Sequence, residues 1–392
     1  MIKIEYRKNH IYLVFAFISY FIRRIISILL SKIFSLSTSL LFCHLMCLGQ
    51  IIGGSSIYFY QKSFLDKKGK YTHKRIIYKL TRRERTLKKA DNVHKIRLLI
   101  FFASFFDLEE YFITTYFIPK IAKLSTTASF RLSCIMTIMS SLLCFSSFKN
   151  KIGKHQIISL IILSIIFLIT YILEFVYKPA KVNLSNYIVS YVLLLFHFLF
   201  RSFTDVTEKY LGDYDYMNPF QIITTEGIIS FVFITIYSFF DNPFKEVGDI
   251  YTNISKGEFV LLIFLLFLYF ILCGFVNVYK IICNLLYSPM AKSLASYFLN
   301  SAFIIYHYSL GNDFLVEGEK NILYFLISII FSILVDFFTL IYNEFIILNF
   351  WGLSVETHPE IADRSSSSEL QVISKNLTKD SFDYSEDDVS RI

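Results

Sequence analysis

Residues 201–227, RSFTDVTEKYLGDYDYMNPFQIITTEG, join two apolar segments near the middle of the chain. Arg201, Asp205 and Glu208 fall at i, i+4 and i+7, so on a helix they share one face. That spacing predicts a local ion pair between Arg201 and Asp205. Asn218 and Pro219 read as a helix start, with Asn as the cap and Pro at the first helical position. Glu226 follows seven residues after Pro219, about 10 Å along a helix. A carboxylate at that depth in an apolar segment is costly unless it faces protein or water, which makes Glu226 a candidate site residue. The stretch therefore predicts a helix end, a turn over 210–217, and a second helix carrying a buried acid.

Outward from this stretch the chain is apolar almost throughout. Of its 392 residues 55% are hydrophobic and 18% aromatic, with a mean hydropathy of +0.53. A water-soluble fold cannot hide that much apolar surface, and lipid is the alternative solvent. A spanning helix needs about 20 apolar residues. Stretches that meet this lie near 11–31, 34–60, 97–118, 123–147, 154–177, 186–209, 219–240, 258–280, 290–310 and 321–349. The first is interrupted by Arg23 and Arg24 and reads either as a span or as an interfacial helix. The expected class is an all-α polytopic membrane protein of about ten transmembrane helices, with the lipid bilayer as its first partner.

Charge is distributed unevenly. Residues 61–97 hold 14 Lys and Arg against 3 acids, and residues 352–392 hold 4 against 9. A basic loop between spans is a cytosolic topology signal rather than a nucleic-acid site, so no nucleic-acid partner is expected. With the 61–96 loop, residues 148–153 and a turn at Lys280 inside, ten helices place both termini in the cytosol. Only the 178–185 loop, with Lys178 and Lys181, dissents. The 352–392 tail, polar and acidic, is expected to be disordered. Gly49 and Gly53 form a GxxxG, which permits a close helix contact within the bundle or in a homodimer. All six cysteines lie in or beside apolar segments, so neither a disulfide framework nor a metal site is expected.

Several polar groups stand at membrane depth. Asp107 and Glu110 share a face in the third segment and are candidate proton-coupling residues, with an interhelical salt bridge as the alternative. Arg131 lies well inside the fourth segment and requires an anion, either a resident carboxylate or a substrate phosphate. Lys292 near the start of the ninth either lines a site or snorkels to the interface. Asp336 and Asn343, seven apart in the tenth, are further substrate-binding candidates. HExxH, GxSxG, DDxxD and P-loop motifs are absent, so the chain is not expected to be an enzyme and no cofactor is expected.

Thr207-Glu208-Lys209-Tyr210-Leu211, Asn218-Pro219-Phe220 and Glu226-Gly227 resemble the middle of nucleotide-sugar-transporter-like (solute carrier) proteins of the drug/metabolite transporter superfamily. Leu286-Tyr287-Ser288-Pro289-Met290, Ala291-Lys292-Ser293-Leu294, Tyr342-Asn343-Glu344-Phe345-Ile346 and Thr357-His358-Pro359-Glu360-Ile361 resemble later parts of that group. The resemblance covers roughly 186–364, whereas the first half matches mainly in helix count. It implies two inverted five-helix halves, 1–177 and 178–351, followed by the 352–392 tail. It further implies alternating access, with Arg131 and Lys292 as repeat-related cations for a nucleotide phosphate. The function expected is secondary transport of a polar or anionic small metabolite, nucleotide sugars included, in the Golgi, the ER or another endomembrane. The alternative is a non-transporting receptor or trafficking factor.

Overall fold

A computed structural model describes residues 2–4, 11–34, 36, 40–68, 93–113, 118, 126–148, 152–177, 183–213, 217–240, 242–309 and 321–348. Most of the basic 61–96 loop, the 311–320 loop and the 352–392 tail lie outside these residues, with the expectations attached to them. The first long helices are α1 (Ile11–Phe34), α2 (Leu40–Lys68) and α3 (Val93–Phe112). A broken pair follows, α4 (Thr126–Arg131) and α5 (Cys134–Phe148), and then α6 (Lys154–Val176). The second part holds α7 (Leu184–Asp213), α8 (Pro219–Tyr237), the short α9 (Lys245–Tyr251), α10 (Lys256–Leu286), α11 (Pro289–Ser309) and α12 (Ile322–Tyr342). The described strands, β1 (Ile2–Ile4) and β2 (Ile346–Leu348), pair antiparallel, with Lys3 opposite Ile347. This ribbon holds both ends of the helical array on one face of the bundle.

Seven of the described helices are long and apolar enough to cross a membrane: α1, α2, α6, α7, α8, α10 and α12. Their sidedness identifies the solvent. In α6 the buried positions are His155, Ser159, Leu163, Ile166, Thr170 and Glu174, three or four apart. Ile157, Ile161, Ile165, Leu168 and Ile172 face outward. α12 repeats the pattern, burying Tyr324, Ser328, Ser332 and Thr339 while Leu326, Ile330 and Ile333 are exposed. A helix in water turns its apolar stripe inward. Here the polar stripe is inside, so the surroundings are hydrocarbon and the protein is an integral membrane protein. α1 is a full 24-residue helix despite its arginines, which lie on aromatic rings: Arg23 over Tyr20 at 5.1 Å and Arg24 over Phe130 at 5.1 Å.

Local chemistry sets the helix ends as the sequence suggests. Asn218 caps α8, its side chain accepting from Phe220 N at 2.9 Å, with Pro219 in the first turn. Ser255 and Glu258 form a reciprocal capping box at the start of α10. Three boundaries differ from expectation. α7 runs on to Asp213, so the first half of the turn expected over 210–217 is helical. α10 runs on to Leu286, so Lys280 is a buried helical residue rather than part of a turn. The fourth segment, expected as one helix over 123–147, breaks at Leu132–Ser133. The ladder there shifts to i→i−3 bonds, Ile135 N to Leu132 O at 3.2 Å and Met136 N to Ser133 O at 2.9 Å. α11 supplies the missing partners: Tyr297 donates to Ser133 O at 3.0 Å and Asn300 to Ser133 Oγ at 2.8 Å. Freed backbone groups need such partners in a membrane, and a distant helix provides them.

The centre of the bundle is a glycine-mediated crossing in which α2 packs on both α8 and α10. A Cβ on Gly49 would stand 2.8 Å from Cys273 Cβ and 2.9 Å from Gly274 N and Phe270 O. One on Gly53 would stand 3.0 Å from Gly274 Cα, and one on Gly227 3.0 Å from Gln50 Cβ. The GxxxG of α2 therefore serves a contact inside the chain. Gly49→Val is expected to cost about 1–3 kcal/mol of overpacking, read as a lower thermal midpoint in detergent. Gly248→Ala, at a position with open space, should leave the midpoint where it is.

Candidate functional site

Six helices converge on a small polar cavity. α2 contributes Gln50 and α3 contributes Asp107. α7 turns Arg201, Asp205 and Glu208 toward it, as the i, i+4, i+7 spacing requires. α8 adds Ile223 and Glu226, α10 adds Asn277 and Lys280, and α11 adds Lys292.

One wall is an ion cluster. Lys292 Nζ lies 2.5 Å from Asp205 Oδ1 and 2.7 Å from Glu208 Oε2. Asn284 donates to the same Glu208 oxygen at 2.7 Å and to the Asp205 carbonyl at 2.8 Å. All four residues are buried. An ammonium has three donors, and two of those of Lys292 are engaged by carboxylates. Asp205 thus pairs with a lysine from another helix, and Arg201 lines the same cavity. Glu208 is a cavity residue.

The rest of the lining is less satisfied. Gln50 donates through Nε2 to Asp107 Oδ2 at 2.7 Å, which leaves its Oε1 as a buried acceptor without a hydrogen bond. Glu226 is 1% exposed and its Oε1 has no hydrogen-bond partner. Asn277 Nδ2 is also buried without an acceptor. Most buried polar atoms in folded proteins are paired, so three such atoms around one cavity mark it as built for something else.

A second cluster lies toward the other end of α7. Arg131 Nε is 2.5 Å from Glu174 Oε1, and its guanidinium lies 4.8 Å from the ring centroid of Tyr324. Tyr191 donates its hydroxyl to Glu174 Oε2, and Tyr187 donates to the Glu174 carbonyl at 2.8 Å. Tyr191 and Asp205 are fourteen residues apart on α7, about 21 Å along its axis. The two ion clusters therefore stand at different levels of the bundle with the cavity between them and beside the Lys292 group.

Among the residues singled out by sequence, the cavity gathers Asp107, Glu226 and Lys292. It does not gather Arg131, whose anion is the resident Glu174. Asp336 is half-buried on α12 away from the cavity lining. Asn343 closes α12, donating to Thr339 O at 2.9 Å and accepting from Ser288 Oγ at 2.7 Å, which makes it a cap rather than a ligand-binding group. Glu110 belongs to α3, but its side chain lies outside the described residues. Sequence reading passed over Gln50, Asn277, Asn284 and Glu174. Gln50 stands beside Gly49 and Asn277 one turn after Gly274, so a polar residue next to a helix-contact glycine was the available signal. Among the described residues no group of three or more His, Cys, Asp or Glu is placed to hold a metal ion, and all six cysteines are buried free thiols. Comparison with known proteins adds no identity: no protein-family model matches the chain, and no curated protein matches it.

Proposed function

We propose that the protein is a secondary transporter that carries a small polar metabolite by alternating access through the central cavity. The observation that carries this reading is a polar, partly unsatisfied cavity in the middle of a lipid-facing bundle, with an ion cluster toward each end of α7. The Lys292 cluster would close one approach and the Arg131 cluster the other. Transport then requires one to open while the other stays shut.

The packing supports ten spans in two inverted five-helix halves. In that scheme α1, α2, α3, α4–α5 and α6 correspond to α7, α8, α10, α11 and α12. α2 on α10 then has its counterpart in α8 on α3, and α1 on α10 in α7 on α3. α5 on α7 likewise corresponds to α11 on α1, and α5 on α6 to α11 on α12. The β1–β2 ribbon brings both ends of the array to one face, which requires an even number of crossings. The 14 Lys and Arg in residues 61–97 favour the cytosol for that face, in an endomembrane. A non-transporting receptor would be expected to neutralise each buried acid within the bundle. The unbonded oxygen of Glu226 favours the carrier.

The test is uptake into proteoliposomes, paired with thermal-shift measurements on purified protein, because a ligand bound to the native state stabilises it. The panel should cover nucleotide sugars, nucleotides and small metabolites. At least one is expected to raise the midpoint and to accumulate above protein-free liposomes. A panel with neither effect would overturn the carrier reading.

A further inference from the structure

We propose that the central cavity binds a small zwitterion, with the ligand's ammonium between Glu226 and Gln50 and its oxygen acceptor at the Asn277 amide. The inference rests on the carrier reading only in using the same cavity, and it names the chemistry of what the cavity holds.

Gln50 must present its nitrogen to Asp107, because a carboxylate only accepts, so Oε1 is the end left over. That oxygen and Glu226 Oε1 are both buried acceptors without hydrogen bonds. Glycine contacts bring their helices together: a Cβ at Gly227, next to Glu226, would stand 3.0 Å from Gln50 Cβ. The α2–α10 contact at Gly49 and Gly274 then sets Asn277 one turn further along, with a buried amide nitrogen lacking an acceptor. Two acceptors, one of them a carboxylate, and one donor are the complement of an ammonium and a carboxylate or carbonyl oxygen.

The charge inventory points the same way. The lining holds four carboxylates, Asp107, Asp205, Glu208 and Glu226, against three cations, Arg201, Lys280 and Lys292. Lys292 already serves Asp205 and Glu208. A diphosphate would enter a site whose formal charge is negative and one of whose cations is engaged. A zwitterion adds no net charge and lets its positive end meet Glu226.

The experiment uses full-length protein in proteoliposomes, with L-glutamine and L-serine as zwitterionic probes, their Nα-acetyl derivatives as matched controls, and UDP-glucose as the anionic probe. The amino acids are expected to be taken up and to raise the thermal midpoint, and acetylation to weaken apparent affinity at least tenfold. Glu226→Gln should weaken amino-acid binding at least tenfold. If that variant does not fold, the acetylation contrast on the native chain decides alone. Equal affinity for acetylated and free amino acids overturns the inference. Uptake of UDP-glucose without uptake of either amino acid overturns it while leaving the carrier reading intact. No uptake or stabilisation by any of these probes overturns the inference, while the carrier reading is decided by the wider panel.

Discussion

Lys292→Met is expected to lower stability by about 3–5 kcal/mol, the usual cost of removing one partner from a buried ion pair. Lys292 stands between Asp205 at 2.5 Å and Glu208 at 2.7 Å, and all three side chains are buried. Methionine fills similar space along the stem, so little of the loss comes from packing. The loss comes from leaving two carboxylates near one another without a cation. Fluorescence-detected melting in detergent should show a fall on the order of 10 °C. The triple variant Lys292→Met, Asp205→Asn, Glu208→Gln should recover much of it, because neutral amides can share the Asn284 hydrogen bonds. A melting temperature unchanged in the single variant would mean that the lysine and its acids do not form a buried unit.

Arg131→Met should be nearly as damaging, by about 3–5 kcal/mol, and Glu174 explains why. The sequence leaves the anion of Arg131 open between a resident carboxylate and a substrate phosphate. Its pairing with Glu174 at 2.5 Å, inside a shell of Tyr187, Tyr191 and Tyr324, makes it the carboxylate. Loss of the arginine strands a 4%-exposed carboxylate among tyrosines. The double variant Arg131→Met, Glu174→Leu replaces the pair by apolar groups and should melt within a few degrees of the native chain, since such swaps are often neutral. If Arg131→Met melts normally and the double variant melts low, the pair is not what holds this end of the bundle.

The two variants also separate a gate from a ligand site. A residue that closes one approach to the cavity alters how readily that side opens. Its loss should change uptake rate more than the affinity measured by thermal shift. Glu226→Gln should do the reverse, acting on affinity with little effect on the free protein's midpoint. That contrast follows from geometry: Glu226 Oε1 has no hydrogen bond to lose, whereas Arg131 and Lys292 are held in pairs.

The sequence by itself determined the solvent and the start of α8. Apolar stretches of about 20 residues require lipid, and Asn218-Pro219 starts a helix through contacts within one turn. It also placed Asp205 and Glu208 on one face of α7, because that is a matter of 3.6-residue periodicity. Tertiary structure alone decided who meets whom across the bundle. Glu208 and Lys292 are 84 residues apart, and Arg131 and Glu174 are 43 apart. The break after Arg131 depends on Tyr297 and Asn300, which no local rule connects to it. The opening stretch illustrates the division. Its spacing correctly set three charged residues on one face, and its nearest basic residue was the natural partner for Asp205. In three dimensions Asp205 also meets Lys292 of α11, because a buried carboxylate is stabilised by whichever cations the packing brings within reach. Helix formation is read along the chain; charge pairing is settled between helices.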